Sequence, residues 1–113
     1  MTDKIVVLST CGSPEEAARL ARRLVETRAA ACVNILPGVS SVYRWKGAVE
    51  EAQELLLVIK TRRPLLERLI SELRAVHSYE VPEVVALPVV DGLDSYLAWI
   101  DEETSESPGE PQG

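Results

Sequence analysis

The sequence predicts an α+β domain whose elements follow in the order β-α-β-β-α-β-α. Three observations lead to this prediction: short apolar segments rich in β-branched residues, longer segments with apolar residues at helical spacing, and turn-forming residues between them. At 113 residues, the chain is long enough for one domain with one core and too short for two. A hydrophobic fraction of 46% without any Phe indicates a mainly aliphatic core.

The first half of the predicted domain is a β-α-β unit. Residues 4–10 are short, apolar and β-branched, which is typical of a buried strand. A helix start follows at Ser13, where Ser-Pro-Glu-Glu supplies a capping side chain, a proline suited to the first turn and a capping-box glutamate. An apolar stripe extends this helix to about Thr27, and residues 30–36 are the predicted second strand.

A long hairpin connects the two halves. A Pro-Gly pair at residues 37–38 interrupts the second strand, residues 39–45 continue it, and a Lys-Gly pair at residues 46–47 begins a turn or bulge. Residues 54–61 are a third strand with a continuous apolar run, which indicates burial on both faces. Helices are expected to cover one of these faces, and the other needs a different cover.

The second half repeats the strand and helix pattern. Pro64 opens a second helix that extends to about Val76 with a broad apolar stripe. Residues 77–83 are an irregular connector, and residues 84–90 form a fourth strand in which a proline marks an edge or bulge. Two βαβ-like halves in this order are typical of the ferredoxin-like arrangement, whose open sheet face favours association.

A short helix and an acidic tail are predicted at the end of the chain. The third helix begins at Asp91 or Gly92 and runs through Ile100. The single domain therefore covers residues 1–101. Residues 102–113 contain four Glu and almost no apolar side chains, so they are predicted to form a disordered tail.

Composition and charge argue against several classes of protein. A net charge of −6 disfavours binding to nucleic acid, and the longest aliphatic run, residues 55–59, is far shorter than the roughly 20 residues of a membrane span. The N terminus has no signal-peptide pattern, so the expected location is the cytoplasm. The two cysteines, Cys11 and Cys32, are too few for a disulfide framework and are expected to be free thiols.

The sequence also argues against an enzyme. It contains one histidine, His77, and no nucleophile-base, phosphate-loop or zinc-binding motif. His77 follows the second helix, where it is either a metal ligand or a residue that caps the helix C terminus, the more common role. Cys11 lies where the first strand ends, as an exposed thiol or an ordinary loop residue, whereas Cys32 is expected to be a core thiol.

Candidate ligand-binding residues lie on the hairpin and in the connector. Tyr43 and Trp45 share one strand face, where they line a pocket, anchor an interface or pack on the sheet. Tyr79, Glu80 and Glu83 in the connector offer oxygen ligands for a hard cation, or are simply solvated.

Ordered motifs along about residues 4–101 carry a resemblance to a known family. They include AACVNI at residues 30–35, WKG at residues 45–47, YEVPE at residues 79–83 and YLAWI at residues 96–100. With this set of motifs, the chain resembles the divalent-cation tolerance protein CutA family.

The resemblance implies a non-enzymatic, trimeric protein with a role in tolerance to copper and other divalent cations. Its subunits are ferredoxin-like, similar in architecture to the PII signalling proteins, and their long hairpins pair between subunits of the homotrimer. The implied metal is copper or another divalent cation, bound by His77 and Cys11 and not required for folding. Ser9 and Val76 stand where a bacterial relative carries further copper ligands.

An alternative function follows from the same likeness. A PII-like regulatory protein would bind a small effector in the cleft between subunits. The residues expected to line that cleft are Tyr43, Trp45, Glu54, Lys60, Tyr79 and Glu83. Lys60 would suit an anionic effector, and the aromatic side chains would suit a flat one.

Overall fold

A computed structural model describes residues 1–105 and confirms the predicted fold class. The elements occur in the predicted order, with a 3₁₀ turn at Arg63–Leu65 before the second helix. Their bounds are β1 Lys4–Cys11, α1 Pro14–Glu26, β2 Cys32–Trp45, β3 Ala48–Arg62, α2 Leu66–Val76, β4 Val85–Pro88 and α3 Asp94–Glu103. The four strands form an antiparallel sheet in the order β2-β3-β1-β4.

The core lies on one face of this sheet, between β1, β3 and the first two helices. Alternate residues of β1 and β3 point to this face and have almost no exposed surface, as expected from the two-residue period of a strand. Their partners are apolar residues on one stripe of each helix. The fully buried members of this layer include Val7, Leu57, Ile59, Leu20, Leu24, Leu69 and Leu73.

The hairpin is longer and more regular than the sequence predicted. β2 continues through the Pro-Gly pair at residues 37–38, where the register shifts between Leu36 and Val39 and leaves a bulge. β3 begins at Ala48, because residues 48–53 pair with β2 although their own pattern is not apolar. Lys46 and Gly47 both have positive φ, which is the conformation of a tight two-residue hairpin turn.

The third helix corrects the predicted end of the domain. It starts at Asp94, after the predicted start, and runs through Glu103, past the predicted boundary at residue 101. Thr104 and Ser105 are buried, and the Thr104 hydroxyl accepts a hydrogen bond from Arg62 Nε at 2.8 Å. Residues 102–105 therefore belong to the fold, because a polar contact holds them against β3. The rest of the predicted tail, residues 106–113, lies outside the described residues.

The second face of the sheet is only partly covered. α3 lies over one end of it, where Lys4 Nζ contacts Asp101 Oδ1 at 3.1 Å and Arg62 contacts Thr104. Strand register places a further group of apolar side chains on this face, all partly or substantially exposed. These are Val6, Leu8, Leu36, Leu56, Val58, Val85 and Leu87, which we call the open face.

Candidate functional site

A cavity of about 830 Å³ lies between the outer part of the hairpin and the connector that follows α2. We call residues 39–54 of the hairpin the arm and residues 77–84 the connector. The arm contributes Tyr43, Trp45 and Glu54 to the cavity walls, and the connector contributes Tyr79 and Glu83. We call this cavity the hairpin pocket. Five of the six residues predicted to bind a small ligand therefore lie around one space.

Strand register explains why the arm residues converge. Tyr43 pairs with Glu50, and Trp45 pairs with Ala48, so both aromatic side chains lie on the same face of the hairpin as Glu50 and Glu54. This face is continuous with the open face of the sheet, because both consist of the even-numbered positions of β3.

A hydrogen bond joins the two walls of the pocket. The Tyr79 hydroxyl donates to Glu54 Oε2 at 2.7 Å, and the exposed fraction of Glu54 is only 9%. Burial, the hydrogen bond to Glu54 and the nearby negative charge raise the pKa of Tyr79 far above its ordinary value. Tyr79 therefore stays a neutral hydrogen-bond donor at physiological pH, and the contact fixes the connector against β3.

A second buried carboxylate positions the start of the connector. Glu16 Oε2 accepts a hydrogen bond from the Ser78 amide at 2.7 Å, and Glu16 Oε1 accepts one from the Gly12 amide at 3.5 Å. Burial by itself would raise the pKa of Glu16, but these hydrogen bonds outweigh burial and hold it below its ordinary value. The capping-box glutamate of α1 thus also holds the connector.

His77 has a structural role that leaves it no free nitrogen for a metal. Its side chain is fully buried, with Nε2 2.7 Å from the Thr10 carbonyl oxygen and Nδ1 3.0 Å from the Tyr79 amide nitrogen. The tautomer with hydrogen on Nε2 satisfies both contacts, because it donates to the carbonyl and accepts from the amide. The assignment of His77 as a metal ligand does not fit this geometry.

Cys11 does not provide the second half of a metal site either. The residue is fully buried, and its thiol donates a weak hydrogen bond to the Ser13 carbonyl oxygen at 3.7 Å. Burial raises the pKa of this thiol, which disfavours the thiolate that binds metals. Across residues 1–105, no three His, Cys, Asp or Glu side chains are grouped so that they could hold a metal ion.

Lys60 is the predicted cleft residue that lies elsewhere. Its ammonium group donates a hydrogen bond to Asn34 Oδ1 on the neighbouring strand, and it does not line the hairpin pocket. Lys46, which the turn places at the tip of the arm, lines the pocket instead. An anionic effector held by Lys60 is therefore not supported.

Sequence reasoning also missed part of the acidic lining. Glu50 lines the pocket from the arm, and Glu80 joins Glu83 on the connector side. Glu50 could have been found from the hairpin register, which places it opposite Tyr43, had β3 been extended back to its true start. Glu80 is predicted as an oxygen ligand for a hard cation or as a solvated side chain, and the prediction of a cleft between subunits does not include it.

Comparison with known proteins identifies the family. The profile described as "CutA1 divalent ion tolerance protein" matches residues 5–103, which is most of the chain. The chain belongs to the CutA1 divalent ion tolerance family. The match ends at Glu103, the last residue of α3, and includes the hairpin and the connector.

Three CutA relatives show how closely the chain follows this family. The divalent-cation tolerance protein CutA of Thermus thermophilus is 52% identical over 99 residues, covering 88% of this chain and 96% of the relative. The chloroplastic protein CutA of Arabidopsis thaliana is 49% identical over 100 residues, which cover 88% of this chain but 55% of the relative. The crystal structure of CutA from Xylella fastidiosa has a TM-score of 0.89 at 42% identity, covering 92% and 100% of the two chains.

The CutA comparisons support a role in divalent-cation tolerance, which is the function named in the family description. Against the Arabidopsis relative, this chain corresponds to about half of the longer protein. Among residues 1–105, no helix combines the length and the apolar character needed to cross a membrane.

Proposed function

We propose that this protein acts in divalent-cation tolerance as a non-enzymatic, homotrimeric binding protein of the cytoplasm, with the hairpin pocket as its ligand site. The observation that carries the proposal is the convergence of aromatic and acidic side chains on one cavity whose walls are joined by Tyr79 and Glu54. The cavity volume is within the roughly 300–1,000 Å³ of small-molecule sites.

Association through the open face supports the trimeric part of the proposal. Seven apolar side chains there are partly or substantially exposed in the described chain, and the exposed fractions of Val85 and Leu87 are 47% and 45%. Exposed apolar patches of this kind mark interaction surfaces in soluble proteins. A homotrimer is also what the family resemblance implies. Since the arm face that bears Trp45 is continuous with the open face, a neighbouring subunit would lie beside the hairpin pocket.

Copper bound by His77 and Cys11 is not part of the proposal. Both nitrogens of His77 are engaged by backbone groups, and Cys11 is a buried thiol. We expect His77→Ala to lower the melting temperature, because the connector loses its contact with the Thr10 carbonyl. A copper titration of the wild type and this variant, in parallel with thermal melts, checks this. Stoichiometric copper uptake that disappears in a still-folded His77→Ala protein would restore the copper site.

The assembly is tested by light scattering at micromolar concentration, where the proposal requires three times the 12.4 kDa of one chain. Val58→Glu places a charge in the middle of the open face and is expected to give monomers. Ala18→Glu is the matched control, because Ala18 is an exposed residue of α1 on the other side of the sheet. A monomeric wild type would overturn the trimer.

The role of the pocket is tested by growth on elevated divalent metal. A bacterial host that lacks its own CutA protein should regain tolerance with the wild-type chain and with Glu15→Gln, an exposed position of α1. Glu54→Gln should fail to restore growth, although it retains a hydrogen-bond acceptor for Tyr79. Full tolerance with Glu54→Gln would overturn the hairpin pocket as the site of this function.

A further inference from the structure

The charge of the hairpin pocket indicates what class of ligand it can hold. Four carboxylates line the pocket, from Glu50, Glu54, Glu80 and Glu83, whereas Lys46 is the single cationic side chain among its lining residues. This chain therefore contributes a formal net charge of −3 to the lining of the pocket. A concave surface with this charge attracts cations and repels anions, and the effect is strongest where the walls exclude water.

We propose that the hairpin pocket selects a small organic cation, an ammonium or guanidinium compound that carries an apolar or aromatic part. This inference rests on the proposed function, since it names the ligand class of the same pocket. Tyr43 provides a ring surface beside the carboxylates, and Trp45 and Tyr79 add the ring surface that Lys46 and His77 do not contact. Aromatic faces bind organic cations by cation–π attraction and at the same time bury apolar surface of the ligand.

Glu54 is the residue best placed to bind the cationic group. It is nine-tenths buried at the base of the arm, and only its Oε2 is engaged, by the Tyr79 hydroxyl. Its other oxygen, Oε1, accepts no hydrogen bond from the described part of the chain, although the carboxylate lines the pocket. A carboxylate oxygen that has no donor and belongs to a largely buried residue is a strong acceptor for a ligand N–H group.

The arrangement suits an organic cation better than a bare metal ion. A divalent metal needs several ligands that converge on one point, as the six to eight oxygens around Ca²⁺ do. No such convergent group of three exists within residues 1–105, because the four glutamates are spread over the arm and the connector. A cation with its charge on an extended organic frame can use separate carboxylates and the aromatic walls together.

Matched probes of similar size but different charge test this proposal. 2-Phenylethylammonium is cationic, 2-phenylethanol is neutral and phenylacetate is anionic. Binding is followed by tryptophan fluorescence in a Trp99→Phe background, which leaves Trp45 in the pocket wall as the reporter. We expect saturable binding of the cation, with a dissociation constant at least about tenfold lower than that of the neutral probe, and no binding of the anion.

Two substitutions show whether the pocket carboxylates are responsible. Glu54→Gln should weaken binding of 2-phenylethylammonium about tenfold or more, and Glu83→Gln, at an exposed pocket position, should weaken it less. Glu15→Gln lies outside the pocket and should bind like the parent protein. Circular dichroism and light scattering of each sample establish that fold and assembly are retained. If Glu54→Gln does not fold, the test of the carboxylates rests on the binding measured with Glu83→Gln.

The results separate the ligand class from the proposed function. Saturable binding of phenylacetate or 2-phenylethanol with equal or greater affinity would overturn the cation preference but leave the pocket as a binding site. Binding of the cation that neither Glu54→Gln nor Glu83→Gln weakens would also overturn the preference. No response to any probe up to about 10 mM would overturn both the ligand class and the pocket as a ligand site.

Discussion

The body of this protein and its arm are held by different forces. In the body, Val7, Leu57 and Ile59 have no exposed surface and pack against the two helices. In the arm, the exposed fractions of Val42 and Val49 are 66% and 64%, and the strands are held by their hydrogen-bonded pairing and by the turn that joins them. Burial of apolar surface therefore determines the body, whereas backbone conformation determines the arm. The hairpin pocket lies where the two regions meet.

The largest expected effect is in the body. Leu57→Ala removes a fully buried side chain from the centre of β3 and should lower the free energy of unfolding by about 2–5 kcal/mol. Val42→Ala, on the arm face opposite to Trp45, should change it by about 0.5 kcal/mol or less. Urea unfolding of both variants checks the comparison. Equal losses would show that this face of the arm is as buried in solution as the core.

At the junction between body and connector, Glu16→Gln should lower the free energy of unfolding by about 1–3 kcal/mol at pH 7, because a buried, hydrogen-bonded carboxylate loses its charge. Hydrogen bonds that outweigh burial hold the pKa of Glu16 in the folded protein below its ordinary 4.5. Its contribution to stability is therefore complete above about pH 4.5 and is lost as the pH falls through the folded-state value.

Thermal melts between about pH 3 and pH 7 test this second prediction. The wild type should lose stability on acidification more steeply than Glu16→Gln, so the two curves should converge at low pH. Glu15→Gln, one position away on the exposed side of α1, should follow the wild type. Parallel curves for the wild type and Glu16→Gln would contradict the role assigned to this carboxylate.

The smallest of the three effects is expected in the arm. Gly47 has a φ of +84°, and a Cβ added there would meet nothing within 4 Å. Gly47→Ala should therefore lower the free energy of unfolding by about 1–2 kcal/mol through backbone conformation alone. Gly47→Asn should lower it less, because Asn tolerates positive φ. Chemical denaturation measures both, and an equal cost for the two residues would show that the turn does not depend on left-handed conformation.

The sequence predicted the body better than it predicted the pocket. The residues of α1 were predictable because the capping box at Ser13 and the apolar stripe both act within a few turns. The start of β3 was predicted too late, since residues 48–53 become a strand by pairing with β2 and have no apolar pattern of their own. That error concealed Glu50 opposite Tyr43 and, with it, part of the acidic wall of the pocket.

The roles of single polar residues were the least predictable. His77 has one neighbour in sequence, Tyr79, that occupies its Nδ1, but the carbonyl at its Nε2 belongs to Thr10, far away in the chain. Lys60 shares strand parity with Glu54, yet its ammonium group turns to Asn34 on the next strand. Strand parity fixes the face on which a side chain lies, but long-range contacts decide where its charged end goes.

What the sequence alone determined was the order of the elements, the apolar face of each one and the resemblance to the CutA family. These depend on hydrophobic periodicity, capping and turn residues, which act between neighbours in the chain. Only the tertiary structure decided that the connector folds back to the arm, where Tyr79 meets Glu54 across a cavity. That contact joins distant segments through the packing of α2 and the register of the hairpin, so no local pattern encodes it.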